Sequence, residues 1–323
     1  MIGWAALGLA LGGLAMTEIR AARRERAALA AFPPDGRILE VGGRRVHAVT
    51  RGVGPDVVLL HGASGNTRDM TFGLVGQLAG RYRVTAFDRP GLGHTGRVRD
   101  GLDGPFRKDC ESPAEQAALL RDAARLLGIE RPIVLGHSLG GAVALAWALD
   151  DPRGTAAVVD VSGVTMPWPE PLDLLYRLNG RLVGGAALPP LMAAYAGDGL
   201  LRRALAAIFE PDPVPPGYAE HIGLPLVLRR ASLRANARQI GTLRRHVAEM
   251  SRRHGELRLP LEIVHGEADI IVPPGIHSLP LSRIVPDANL VMLPGTGHMA
   301  HHAHPEAVVA AVDRAHVRAT SGG

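Results

Sequence analysis

Dense apolar runs alternate with helical stretches along most of this chain. The runs Asp56–Leu60, Val84–Phe87, Ile133–Leu135 and Ala156–Val161 are short, rich in β-branched residues and bounded by turn residues. Leu261–His265 and Asn289–Leu293 repeat the pattern near the C-terminus. Runs of this kind predict strands buried on both faces, as in a parallel sheet. Between them the spacing predicts helices from about Asp69 to Ala79, from Pro113 to Leu127, from Gly141 through Ala148, and from about Pro305 to Val317. Ser112-Pro113-Ala114-Glu115 marks the second start with a capping serine and proline at the first helical position. Ile38–Val41 and Arg45–Thr50 flank Gly42-Gly43 and predict a β-hairpin.

The alternation lapses between Gly163 and about Gly255. Prolines cluster there, at Pro167, Pro169 and Pro171, at Pro189-Pro190, and at Pro211, Pro213 and Pro215-Pro216. Helical stretches lie between them: Leu172–Leu182, Leu191–Phe209, Tyr218–Arg230 and Leu233–Arg253. The segment 163–255 therefore reads as a helical insertion between two strands of one sheet. The core it interrupts is 37–162 and 256–318.

Ile2 to Met16 carries no charge, and Arg20, Arg23, Arg24 and Arg26 follow it. As a helix that run would be about 23 Å long at 1.5 Å per residue, against a hydrocarbon core of about 30 Å. A secretory signal carries its positive charge before the apolar run, not after it. The pattern predicts an N-terminal membrane anchor over 1–19, a basic linker over 20–36 and a catalytic domain on the cytoplasmic side. A cleaved signal and a misplaced start codon are the alternatives. Without the segment, the protein is expected to be soluble and cytoplasmic.

Composition narrows the classes. With 323 residues and 46% hydrophobic residues the chain can build a large core, and 21% charged residues argues against disorder. The net charge of +5 would suit an acidic partner, but Lys108 is the only lysine and no zinc-finger spacing or basic tail accompanies it. No nucleic-acid partner is expected. Cys110 is the only cysteine, which excludes an intrachain disulfide and a cysteine-based metal site.

The candidate chemistry centres on Gly136-His137-Ser138-Leu139-Gly140, a G-x-S-x-G pattern between a strand and a small-residue helix. In that context the pattern predicts a nucleophile elbow, with Ser138 raised above the sheet on a strained turn. A serine needs a base and a third group that fixes the base's tautomer. His298, in Pro294-Gly295-Thr296-Gly297-His298, is the preferred base; His301, His302 and His304 are its rivals, read instead as surface or helix-cap histidines, and although a His cluster could hold a metal, none is expected without nearby carboxylate or cysteine spacing. Asp269, after the strand Leu261–His265, is the preferred acid, with Glu267 and Asp160 as rivals. Leu139 N–H and Ala63 N–H are the expected oxyanion donors, with Ser64 next in line and Asn66 either touching substrate or capping a turn. Asp88 is read as holding the turn Asp88-Arg89-Pro90-Gly91, His137 as packing, and His61 as supporting the oxyanion turn.

These segments together resemble the α/β-hydrolase family: His61-Gly62-Ala63-Ser64, Asp88-Arg89-Pro90-Gly91-Leu92-Gly93, Gly136-His137-Ser138-Leu139-Gly140-Gly141, His265-Gly266-Glu267-Ala268-Asp269 and Gly297-His298. The resemblance spans about Arg37 to Val317. It implies an α/β fold with a mostly parallel eight-stranded sheet flanked by helices, a helical cap after the sixth strand, and no cofactor. It further implies a serine hydrolase, with a carboxylesterase of small or medium hydrophobic esters as the leading activity. Ser64, Trp168 and Met299 are expected at the substrate, with Tyr176, Met192, Tyr195 and Phe209 as further lining. Carbon–carbon bond hydrolysis, with Arg229 or Arg230 holding a carboxylate, and haloperoxidase-like chemistry are alternatives within the family. A non-catalytic ligand-binding or membrane-assembly accessory protein is the alternative outside enzymology. Oligomeric state is not written in the pattern.

Overall fold

The computed structural model describes residues 2–169 and 182–321. The expected helix over 172–181 and the expected lining residue Tyr176 lie outside the described residues. The strands are β1 (Arg37–Val41), β2 (Arg44–Arg51), β3 (Asp56–Leu60), β4 (Arg83–Phe87), β5 (Ile133–His137), β6 (Ala157–Val161), β7 (Leu261–Gly266) and β8 (Ala288–Leu293). They form one eight-stranded sheet in the order β1-β2-β4-β3-β5-β6-β7-β8. β2 runs antiparallel to both neighbours, and every pairing from β4 through β8 is parallel. Gly42 and Gly43 both have positive φ, 55° and 76°, as a tight hairpin between β1 and β2 requires.

α1 (Ile2–Ala31) precedes the sheet, and the helices of the core before the insertion are α2 (Thr67–Thr71), α3 (Leu74–Leu78), α4 (Pro113–Leu126) and α5 (Leu139–Asp150). The insertion after β6 supplies α6 (Leu182–Tyr195), α7 (Asp198–Phe209), α8 (Tyr218–His221), α9 (Leu224–Val227) and α10 (Arg230–Met250). The chain closes with α11 (Ser278–Ile284), α12 (Ala300–Ala303) and α13 (Pro305–Ser321). Two apolar layers hold the sheet. One joins Val58, Leu60, Val134, Trp147 and Ile263 with α4, α5 and α10; the other joins Val57, Leu59, Leu135 and Val159 with Leu74, Val308 and Val312. α5 is buried from Leu139 through Leu149, which explains its small residues: it lies between sheet and helices with no solvent face.

Several expected boundaries move, each for a local reason. The expected helix from Asp69 to Ala79 is two, α2 and α3, broken at Gly73. Pro189-Pro190 lies inside α6 instead of before a helix, and Gly197 separates α6 from α7. Gly223, at φ 68°, separates α8 from α9 within the expected helix Tyr218–Arg230. α10 begins at Arg230 and passes at Met250 into a 3-10 turn, Ser251–Glu256.

The N-terminal reading is corrected most. Among the described residues no helix is long and apolar enough to cross a membrane. The uncharged run ends at Met16, and the same helix continues through Glu18 and the arginines to Ala31, so anchor and linker are one element, α1. Its second half docks on the insertion. Arg20 Nε and Arg24 Nη1 donate to the carbonyl of Ala194, at 2.8 and 3.0 Å, and Arg24 Nη2 donates to that of Ala196 at 2.7 Å. These cations sit where the C-terminus of α6 exposes unpaired carbonyls and negative dipole. Arg230, at the start of α10, pairs with Glu25 at 2.7 Å and also with Glu18.

Candidate active site

The turn from β5 into α5 is built as G-x-S-x-G demands. A Cβ at Gly136 would lie 2.1 Å from the Gly140 carbonyl oxygen, and one at Gly140 would lie 2.2 Å from that of Leu60, so neither position admits a side chain. Ser138 takes φ 55° and ψ −121°, a left-handed strained conformation that a serine adopts only when its surroundings impose it. Its N–H donates to Val161 O at 3.0 Å and its carbonyl accepts from Gly141 and Val164, which fixes the elbow to the end of β6.

His298 reaches this elbow from the loop after β8. His137 Nε2 donates to the His298 carbonyl at 3.1 Å, and the two rings lie 4.9 Å apart. His137 is therefore packing, as expected; burial leads the causes that hold its pKa well below the usual imidazole value, so it is neutral. Behind His298, Asp269 Oδ2 accepts from His298 Nδ1 at 2.8 Å and lies 3.2 Å from His265 Nε2. Asp269 Oδ1 accepts the N–H groups of Ile271 and Val272, each at 2.9 Å. Burial works to raise this carboxyl's pKa, but the bonds from His265 and His298 outweigh it and the group titrates well below the usual carboxylate range. An ionised Asp269 fixes the proton of His298 on Nδ1 and leaves Nε2 as a lone pair. Ser138 Oγ has no hydrogen-bond partner among the described residues. Such bonds are often long before substrate is bound.

The rival acids separate cleanly. Glu267 is exposed. Asp160 is fully buried, with neither carboxylate oxygen hydrogen-bonded among the described residues, wedged where Cβ atoms at Gly141 or Gly163 would collide with it. Burial raises its pKa to about 7. The rival histidines separate as well. His304 pairs with Glu306 at the surface. His301 and His302 converge on Asp69 Oδ1, at 3.4 and 2.8 Å, and Tyr218 donates to the same oxygen at 2.6 Å. Among the described residues Asp69, His301 and His302 are the group that could hold a metal, their donor atoms lying within 4.8 Å of one another. The two shorter contacts are hydrogen-bond distances, whereas two ligands of a tetrahedral ion bound at ~2.0–2.1 Å stand about 3.4 Å apart.

The loop after β3 lies over the elbow. A Cβ at Gly62 would come within 3.1 Å of Ser138 Cβ and 2.9 Å of His137 Nδ1. Neither Ala63 N–H nor Leu139 N–H donates to a protein acceptor among the described residues. Ser64 takes φ 55°, and its N–H and hydroxyl are both engaged by Asn236 of α10, at 2.7 and 2.8 Å. Asn66 caps α2, accepting from Arg68 N–H at 2.9 Å, and its amide donates to Ile222 O in the insertion. Asp88 holds its turn as expected, accepting from Thr67 N–H, His94 N–H and His47 Nδ1.

The expected lining residues scatter. Met299 is buried with Leu205, Phe209, Tyr218 and Ile222, where α7 and α8 pack on the core. Trp168 is half-buried, its ring 6.1 Å from that of His277. Met192 packs with Ala196, Leu228 and Leu233, and Tyr195 is exposed beside Arg20 and Thr17 of α1. Arg229 donates to Gly93 O and Arg230 to α1, so both are committed elsewhere. A groove of about 720 Å³ lies between α4, α5 and α10, lined by Cys110, Glu115, Thr242 and Arg245 among others, and touches none of Ser138, Asp269 and His298. Ser138 itself is 7% exposed, closed in by its surroundings.

Pattern reading passed over four residues that shape this site. His265 shares Asp269; Arg89 and Asn236 grip the loop over the elbow, and Gln239 holds Arg89. Asn236 and Gln239 are three apart on α10 and so share a face, a spacing visible in the sequence but without a partner to give it meaning.

Comparison with known proteins agrees with this fold. Residues 57–311 match the family described as "Alpha/beta hydrolase family". A pimeloyl-[acyl-carrier protein] methyl ester esterase of Edwardsiella ictaluri is 30% identical over 271 residues, covering 80% of this chain and 91% of that protein. An uncharacterized protein of Mycobacterium tuberculosis is 27% identical over 291 residues, covering 87% and 81%. A crystal structure of an alpha/beta hydrolase fold protein from Burkholderia ambifaria superposes with a TM-score of 0.70 at 26% identity, covering 86% of this chain and 96% of that one.

Proposed function

Since the chain belongs to the α/β-hydrolase family, we propose that it is a serine carboxylesterase of small or medium hydrophobic esters, with Ser138 as nucleophile, His298 as base and Asp269 as orienting acid. The observation that carries the reading is the Asp269–His298 pair, 2.8 Å apart and buried, behind a serine held at φ 55° on a glycine-lined elbow. His298 Nε2 takes the Ser138 proton as Oγ attacks the ester carbonyl. The tetrahedral oxyanion receives Leu139 N–H and Ala63 N–H. His298 then returns the proton to the leaving alcohol, activates water and releases the acid. No metal or cofactor enters this sequence of steps.

Ester chemistry is favoured over carbon–carbon bond hydrolysis because Arg229 and Arg230, the cations suited to a dienoate carboxylate, are bound to Gly93 O and to Glu25. The methyl ester esterase relative supports the same choice. The reading is tested with p-nitrophenyl esters of graded acyl length beside a dienoate. Turnover of the esters, lost in Ser138→Ala, is expected; cleavage of the dienoate alone, or ester turnover that survives in Ser138→Ala, would overturn it.

A further inference from the structure

The loop that carries the Ala63 donor is held from outside the triad by a buried cation that nothing in the proposed chemistry uses. Arg89 is fully buried. It makes no ion pair among the described residues, and burial pulls its pKa down to about 9. Its guanidinium is spent on the loop instead: Nε donates to His61 O at 2.8 Å and Nη2 to Gly62 O at 3.0 Å. Its backbone N–H donates to His61 Nε2 at 2.9 Å, which leaves His61 Nδ1–H to donate to Gly62 O at 2.8 Å. His61 is neutral, its pKa lowered to about 4 by burial and then by Arg89. These two donors, with a longer bond from Gly65 N–H at 3.4 Å, fix the Gly62 carbonyl. A trans peptide sets its N–H opposite its C=O. Holding Gly62 O on the Arg89 side therefore fixes the direction of the Ala63 N–H.

Arg89 is in turn aimed by two glutamines. Nη1 donates to Gln116 Oε1 of α4 at 2.8 Å and to Gln239 Oε1 of α10 at 3.0 Å, and Gln239 Nε2 donates to Pro90 O at 2.8 Å. One turn earlier on the same face of α10, Asn236 grips Ser64 on the far side of Ala63.

We infer that Arg89, Gln239 and Asn236 are positioning residues of the oxyanion hole, through which the inserted helix α10 sets the Ala63 donor. This rests on the serine-hydrolase reading above. It makes the insertion part of the catalytic geometry as well as a cover: displacing α10 slackens the Ala63 donor before any triad residue moves.

The test compares an activated ester with its thiono counterpart, in which sulfur replaces the carbonyl oxygen and fits a set oxyanion hole poorly. Active sites are counted by titration. In Gln239→Leu, kcat for the ester falls about tenfold with KM little changed, less than the ~10²–10³-fold loss of removing a donor outright. The preference for ester over thiono ester shrinks in step. Gln239→Glu, which keeps an acceptor oxygen facing Arg89 but loses the donor to Pro90 O, recovers part of the loss. Arg89→Lys, which keeps charge but not the fork, loses about 10²-fold; if it fails to fold, Gln239→Leu and Asn236→Ala carry the test. An ester-to-thiono ratio unchanged in folded Gln239→Leu would overturn the inference, because a general loss of packing lowers both rates alike. With wild-type turnover and its loss in Ser138→Ala intact, that outcome leaves the hydrolase reading standing. If wild-type protein turns over no ester, both fall.

Discussion

Two buried aspartates, Asp269 and Asp160, sit at strand ends beside the same elbow, and their surroundings drive them to opposite states. Asp269 accepts from two backbone N–H groups and His298 and stays ionised; Asp160 has no side-chain hydrogen-bond partner among the described residues, and burial raises its pKa to about 7, so it keeps its proton below neutrality. Asp269→Asn would disturb the proton that His298 keeps on Nδ1, and kcat is expected to fall about 10⁴-fold, as for the same change in a serine-protease triad. Asp160 makes a prediction in stability. Its folded-state pKa is raised to about 7 from 3.8, so the stability linked to its proton is full below pH 3.8 and is lost as pH rises through 7. Asp160→Asn removes that linkage. The wild-type melting temperature should therefore fall relative to the variant between about pH 4 and 7 and run parallel above it; a constant offset across that range would contradict the neutral acid. Sequence order placed both aspartates at strand ends and preferred Asp269; the reach of the loop after β7 that brings it to His298 was not written in the pattern.

At the scale of elements, strands were more legible than helices. β3, β4, β5 and β6 are buried runs whose composition admits little else, and their observed ends shift by at most a residue or two. Helical spans in the insertion were read as continuous where Gly197 and Gly223 break them, since an apolar period of 3.6 continues across a short interruption. α1 was the largest miss. Its uncharged first half hid the role of its second, where Arg20 and Arg24 cap the C-terminus of α6. Because the acceptors of that pairing among the described residues are backbone carbonyls, charge pattern alone could not reveal it. Arg20→Ala with Arg24→Ala should cost about 1–3 kcal/mol of stability, since both contacts are charge-assisted but partly solvated. Denaturant melts of the double variant check this; an unchanged midpoint would show that the Arg20 and Arg24 contacts do not hold α1 in place.

For the whole molecule, the segments at the ends of β3, β5, β7 and β8 are brought to one edge of a single sheet, the usual location of function in open α/β sheets. That much followed from the order of strands and glycine-rich turns. The positioning contacts from α10 did not, since Asn236 and Gln239 lie more than 140 residues from the loop they hold. Many of the arginines are neutralised in ion pairs such as Arg83–Asp56, Arg97–Glu111 and Arg318–Glu262, inside the fold's own network.

The proposed mechanism requires one nucleophile, and covalent labelling addresses it most directly. Wild-type protein and the variants Ser138→Ala and His298→Ala are treated with a fluorophosphonate and digested, and the modified peptide is located by mass spectrometry. The account predicts a single stoichiometric adduct on Ser138, absent in Ser138→Ala and slowed by orders of magnitude in His298→Ala. An adduct on another residue, or ester turnover by wild-type protein that leaves Ser138 unmodified, would contradict it.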